Sequence, residues 1–370
     1  MQAVALEASR PARARQASPM ILPPRLVVLY GLPLLGVGMM WNLINFYFMK
    51  FATDVLLIAP ATMGVIFLVS RVWDAVSDPL VGYWGDRTRT RLGRRRPWMF
   101  ASAIPLGLCF VAMWSPPGSL GATGLAIWTG AAVVLFYTAL TTFTVPHASL
   151  GAELTPGYHT RTRLFTSAQI AEAIGAALGI AALFTLLGGG IDPRTGALWV
   201  SGAGALAAVA LTFVAVSGLR ENPSHWGRGP QGPLRAVADV WQNPHARRLL
   251  LAGLLQSAGL STLVATIPYA SQYALGDLGY MPRIMLAFVV PHVLLLPAWG
   301  PLSRRFGKRE VWIVSRTVEA AAIAGLFFAP EIGVTAVMAL AAIAGGMDGS
   351  TSVLRRSLQA DAIDFDEVRT

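Results

Sequence analysis

RVWDAVSDPLVGYWGDRTRTRLGRRRPW, residues Arg71 to Trp98, places two carboxylates, Asp74 and Asp78, in a segment otherwise apolar enough to cross a membrane. An ionised carboxylate at bilayer depth costs roughly 2.5–3.5 kcal/mol on insertion scales, so such groups mark functional sites by default. The i, i+4 spacing stacks both acids on one helix face, about 5–6 Å apart between Cβ atoms. Two like charges that close resist ionising together unless a cation lies between them, so the pair reads as a site for Na⁺ or H⁺.

The rest of the chain agrees with a membrane setting. Of its 370 residues 54% are hydrophobic and 13% charged, where a soluble domain carries about 25% charged residues. Apolar runs of the roughly 20 residues that span a bilayer recur along the whole length. Ten spans are expected, near 25–49, 60–84, 98–115, 121–145, 164–187, 197–218, 247–270, 282–300, 310–328 and 333–354. The fold class is therefore an all-α polytopic membrane protein whose first partner is the lipid bilayer.

The net charge of +10 does not point to nucleic acid, because its distribution follows the membrane. Arginines cluster before the first span, from Arg87 to Arg96 after the second, and at Arg161 and Arg163 after the fourth. They recur after the sixth, at Arg304 and Arg305 with Lys308 and Arg309 after the eighth, and at Arg355, Arg356 and Arg369. Loops of the other parity hold almost none. By the positive-inside rule the basic loops and the N-terminus face the cytoplasm of a cell (inner) membrane. Cys109 is the single cysteine, which rules out a disulfide framework and a cysteine-based metal cluster. Residues 1–24 lack an apolar h-region and read as a cytoplasmic tail, not a cleaved signal.

The Pro-, Gly- and charge-rich stretch 219–246 divides the spans into a six-helix bundle, 25–218, and a second group, 247–370. A faint repeat relates them. Gly82-Tyr-Trp-Gly-Asp86-Arg87 closes the second span, and Gly300-Pro-Leu-Ser-Arg304-Arg305-Phe-Gly307-Lys308-Arg309 closes the eighth. Parallel repeats of this kind predict a 6+6 arrangement with substrate between the halves. The second group has four spans, so the chain is expected to be either a clipped transporter or a remnant.

Within 71–98 the residues Arg71, Trp73-Asp74-Ala75, Asp78-Pro79, Gly82, Asp86-Arg87-Thr88-Arg89, Arg91, Gly93-Arg94 and Pro97-Trp98 together resemble the glycoside–pentoside–hexuronide:cation symporter family (melibiose-carrier-like), in the major facilitator superfamily. Pro146-His-Ala-Ser-Leu150-Gly-Ala-Glu153-Leu-Thr155 and Asp361-Ala-Ile-Asp364-Phe-Asp-Glu367-Val-Arg369 extend the resemblance along the chain. It implies cation-coupled uptake of a sugar or glycoside, with no cofactor beyond the coupling Na⁺ or H⁺, by a monomer. A carrier of a lipid-like or anionic solute, such as a uronide or lysolipid, is the alternative. It places Asp74 and Asp78 on the cation, with Ser77 and Thr141 as neutral oxygen ligands. The competing reading makes Asp74 the ion-pair partner of Arg71. Asp86, with Arg89, Arg91 and the triplet Arg94–Arg96, falls where the superfamily gates its cytoplasmic side, although orientation alone also demands arginines there.

The galactoside grip of that family is missing. Its sugar-binding aspartates align with Gly38 and Thr144, an arginine of helix five with Gln169, and a lysine with Arg369. The polar residues left for a substrate are Asn42, Asn45, Thr144, Gln169, Glu172, Asp348 and Arg369, unless they serve neighbouring helices. His292 is either a proton relay or a hydrogen-bonded structural imidazole, and Glu319 is spaced to pair with Arg316. The sequence offers no nucleophile–base pair, no metal-ligand cluster and no P-loop spacing, so an enzyme is not expected.

Overall fold

Proline opens most of the long helices. Pro24, Pro60, Pro97 and Pro193 occupy the first turns of their helices, where the missing N–H would have no intrahelical partner. The computed structural model describes residues 23–154, 158–187, 190–221 and 244–369. In chain order its helices are α1 (Pro24–Asp54), α2 (Pro60–Arg87), α3 (Arg96–Trp114) and α4 (Ala122–Glu153). Then come α5 (Tyr158–Leu187), α6 (Pro193–Gly218) and α7 (Pro244–Tyr269), followed by α8 (Tyr280–Phe306), α9 (Lys308–Gly325) and α10 (Ala329–Arg369).

Among the described residues eight stretches are long and apolar enough to cross a membrane, against the ten spans expected. The difference has two causes. The span at 60–84 becomes α2, whose Arg71, Asp74, Asp78, Asp86 and Arg87 lower its apolar content. The spans at 310–328 and 333–354 become α9 and α10, which run on as one stretch, Lys308–Thr351. A break separates the two expected spans, but it falls at Gly333, inside α10 near its start, with φ 76°, a left-handed value that only glycine takes without strain.

In the first half α1 packs along α5 and α6, α3 along α4 and α6, and α2 along α4. In the second half α10 is the hub, packed against α7, α8 and α9. The α1–α5 seam is close enough to exclude side chains: a Cβ on Gly38 would lie 3.2 Å from the Cα of Glu172. The halves meet at the end of the bundle opposite the arginine-rich 87–96 loop. There α1 turns through a π-helical step, Ile44–Phe48, that packs on α7. Phe48, Phe51, Phe110, Trp114 and Phe136 form an aromatic core that continues into Met281 and Met285 of α8.

Lys50 completes this contact. It is buried, pairs with Asp54 on its own helix, and sets its ammonium 4.8 Å and 5.3 Å from the ring centroids of Tyr269 and Tyr273. Thr53 Oγ1 lies 3.1 Å from the Tyr269 hydroxyl. Of the expected linker 219–246, residues 222–243 lie outside the described residues.

Candidate functional site

A cavity of about 560 Å³ opens in the first half. Four helices line it: α1 with Tyr30, Leu34, Val37 and Trp41; α2 with Asp74 and Asp78; α4 with Tyr137, Leu140, Thr141, Thr144, His147 and Ala148; α5 with Phe165, Ala168, Gln169 and Glu172. Tyr30 and His147 tie two of these walls together. Their rings stack 4.2 Å apart, and His147 Nε2 lies 2.9 Å from the Tyr30 carbonyl.

The one-turn spacing of Asp74 and Asp78 turns both acids to this cavity, and α4 meets them there. Thr141 Oγ1 donates to Asp78 Oδ1 at 2.8 Å. Asp74 Oδ2 lies 3.4 Å from the Arg71 guanidinium, so the i, i+3 pair exists. It is loose: Arg71 also donates to the Tyr137 hydroxyl at 3.1 Å and lies over the rings of Tyr137 and Trp41, at 4.7 Å and 5.2 Å. Asp74 Oδ1 is buried and accepts no hydrogen bond among the described residues. Leaving a buried acceptor unmatched costs about 1–3 kcal/mol. Pro79, inside α2, withholds the N–H that would bond the carbonyl of Ala75, leaving another oxygen without its helical partner beside the acids. Two carboxylates, a hydroxyl and a carbonyl are hard oxygen donors suited to a hard cation. Ser77 is buried with its hydroxyl 3.4 Å from the Asp74 carbonyl and does not line the cavity.

The residues expected for a substrate separate into three places. Thr144, Gln169 and Glu172 line the cavity, with Gln169 Nε2 donating to Glu172 Oε2 at 2.7 Å. Asn42 and Asn45 do not line it. Their amides turn back along α1 and donate to the carbonyls of Gly38 and Trp41, at 2.8 Å and 2.7 Å. Asp348 lies in the second half, beside His292 and Arg316. The side chain of Arg369, like those of Arg355 and Arg356, lies outside the described residues.

The 87–96 loop sorts its arginines sharply. Arg89 and Arg91 are exposed, whereas Arg94 and Arg95 are buried. Asp86 pairs with Arg95 and lies 3.5 Å from Arg94, and Glu153 of α4 accepts from Arg94 at 2.5 Å. Glu221, just beyond α6, accepts the backbone N–H groups of Arg94, Arg95 and Arg96 at 2.6, 2.9 and 2.8 Å. A carboxylate there satisfies donors that the start of α3 leaves open and matches the positive end of the helix. The cluster thus joins α2, α3, α4 and the exit of α6 within one half. Of the arginines weighed for the gate, Arg94 and Arg95 join Asp86 here. Glu153 and Glu221 are additions that the sequence reading lacks: Glu153 stands in a motif that carries the family resemblance, and Glu221 shows only as an acid in a basic linker.

Residues 29–370 match the family described as MFS/sugar transport protein. An uncharacterized symporter of Synechocystis is 35% identical over 170 residues, 45% of this chain and 31% of that protein. A putative glycoside/cation symporter of Escherichia coli is 39% identical over 127 residues, 34% of this chain and 27% of that protein, so the chain spans less than a third of either relative's length. A sodium-dependent lysophosphatidylcholine symporter of Danio rerio is 26% identical over 315 residues, 74% of this chain and 58% of that protein. The structure of the E. coli xylose transporter shares the fold, with a TM-score of 0.64 at 16% identity over 91% of this chain and 87% of that one. A helical membrane fold of this type, with the family's sequence running through all but its first residues, makes the chain a member of the MFS/sugar transport family within the major facilitator superfamily.

Proposed function

We propose that this chain works as a cation-coupled symporter for a sugar or glycoside, with Asp74, Asp78 and Thr141 holding the cation and Thr144, Gln169 and Glu172 facing the substrate. One observation carries the reading. Two intramembrane carboxylates converge with a hydroxyl on a cavity wall, and one carboxylate oxygen is buried there without a partner. A bound cation supplies that partner and, together with Arg71 beside Asp74, balances the two acids. By linkage it raises substrate affinity, and substrate raises cation affinity by the same factor. With the basic loops in the cytoplasm, the halves touch at the outer end and the cavity belongs to an inward-facing form. Ser77, behind α2, then positions the Asp74 turn instead of touching the ion.

The lining favours a neutral substrate over an anion. Its described residues include Asp74, Asp78 and Glu172 but neither lysine nor arginine. Once the coupling cation and Arg71 balance the first two, Glu172 and Gln169 remain to accept and donate hydrogen bonds to hydroxyl groups. The apolar wall of Tyr30, Leu34, Val37 and Phe165 then faces the carbon skeleton.

The test is thermal unfolding of the purified chain in Na⁺, Li⁺ and choline, repeated with neutral glycosides and uronides. A ligand bound only by the folded state at 100 times its Kd stabilises it by about 2.7 kcal/mol. A sodium or lithium shift that Asp78→Asn abolishes, deepened by a neutral glycoside, is expected. Stabilisation by uronides alone, or no response to cation and sugar, overturns the reading.

A further inference from the structure

The second half encloses a group of ionisable side chains that the cavity does not include. His292 lies near the middle of the 27-residue α8, with Nδ1 3.2 Å from Asp348 Oδ2 on α10. Asp348 Oδ1 lies 3.5 Å from an Arg316 nitrogen on α9 and accepts from Gln256 Nε2 of α7 at 3.4 Å. Arg316 pairs with Glu319 one turn along and donates to the Met347 carbonyl at 2.6 Å and to Ser350 Oγ at 3.3 Å. Glu319 and Asp348 are both buried. Four helices therefore converge on two acids, one guanidinium and one imidazole.

Counting charge decides what this group is for. A guanidinium keeps its proton in proteins, so Arg316 balances one acid only. The α7 contribution, Gln256, carries no charge. The charged group of α5, Glu172, lines the first-half cavity beside Gln169. With a neutral imidazole the group holds one net negative charge among apolar helices, the state that a membrane penalises. One added proton makes it neutral. His292 is the more accessible member of the group, with 23% of its side chain exposed against 7% for Glu319.

We propose that His292 and Asp348, backed by Arg316 and Glu319, form a proton-binding site in the second half, separate from the cation site on α2. The site takes one proton from water onto the His292–Asp348 pair and returns it to water. No bond between heavy atoms changes, and Glu319 shares the titration because the acids and the imidazole interact too closely to titrate singly. The chain then carries two cation sites, one in each half, and proton binding in one leaves the oxygen ligands of the other free for a metal cation.

The experiment is nitrogen NMR of the full chain in detergent, with ¹⁵N-labelled histidine, between pH 5 and 8. Five histidines are present, and the His292 signal is the one lost in His292→Gln or kept when the other four are replaced. It is expected to pass from imidazole to imidazolium across that range, and Asp348→Asn is expected to weaken proton binding about tenfold or more. Glu319→Gln should move the same titration. A signal fixed in one charge state, or a titration indifferent to both acid variants, overturns the proposal. Sodium-dependent stability measured on His292→Gln keeps the two sites apart. If the sodium shift is absent even in the unaltered chain, the α2 site fails and this titration still stands or falls alone.

Discussion

The two halves of the chain each set carboxylates within their membrane helices, and each treats them differently: on α2 Asp78 is exposed and Asp74 half-buried, whereas Glu319 and Asp348 are buried. The cation beside the α2 acids, Arg71, is 45% exposed and lies spread over two aromatic rings, touching Asp74 at 3.4 Å and leaving its other oxygen without a partner among the described residues. The cation beside the second pair, Arg316, is enclosed among Glu319, Asp348 and the Met347 carbonyl. A carboxylate oxygen left open on a cavity wall can exchange its ligand. A buried carboxylate facing an imidazole at 3.2 Å and a guanidinium at 3.5 Å has a proton carrier beside it in place of an open wall. The difference lies in which helix supplies the balancing charge, not in how many acids are present.

Removing the two arginines is the strongest way to break this comparison. Arg316→Met strands Glu319 beside Asp348, and breaking a buried ion pair costs about 3–5 kcal/mol. Arg94→Met, which leaves Glu153 only a 3.5 Å contact with Arg95, belongs to the same class. Arg71→Met removes an exposed pair and should cost no more than about 1 kcal/mol. Denaturant or thermal unfolding of the three variants reads the difference. Equal losses for Arg316 and Arg71 would mean that the halves hold their acids alike.

The next effect is selective for ligand. Asp78→Asn should erase the whole sodium response, about 2.7 kcal/mol at 100 times Kd, while Asp348→Asn should leave it in place. Titrating NaCl against choline chloride at constant ionic strength isolates the specific term. A sodium response lost in Asp348→Asn and kept in Asp78→Asn would exchange the roles of the two sites.

Much of this was legible in the chain itself, and the parts that were not have physical reasons. Asp74 and Asp78 stand out because charge is rare inside an apolar run, and helical spacing alone sets them on one face. Thr141 followed from the family resemblance. Asn42 and Asn45 were misleading, since spacing does not tell whether an amide reaches a cavity or folds back on its own helix. Glu221 lies 125 residues beyond Arg96, a pairing that no local pattern shows. Asp348 appeared as a substrate residue because its partners, His292 and Arg316, come from two other helices.

A smaller effect tests how tightly the α1–α5 seam holds position 38. The Cβ of Gly38→Ala would press on the backbone of Glu172, and overpacking of this kind costs about 1–3 kcal/mol. Gly64 on α2 has open space around its Cβ position, so Gly64→Ala should stabilise by about 0.5–1 kcal/mol through helix propensity alone. If Gly38→Ala is as benign as Gly64→Ala, the α1–α5 seam yields easily, and packing does not dictate glycine at position 38.

The smallest effect is expected within a single loop. Arg89 and Arg91 lie on the same basic turn as Arg94 and Arg95 but are exposed. Replacing both by alanine should change stability by no more than about 0.5 kcal/mol, the usual range for surface positions. On the proposed orientation their use is topological: a lysine or arginine near an anionic cytoplasmic surface contributes about 1 kcal/mol of attraction, which would orient the chain without shaping the fold. Reconstituted vesicles separate this from gating. If the double variant inserts in the same orientation and unfolds at the same temperature, yet loses uptake, Arg89 and Arg91 act on the transport cycle after all. Unchanged uptake leaves the cytoplasmic end to Asp86, Glu153 and Glu221, which hold Arg94 and Arg95 inside the first half and set where its helices end.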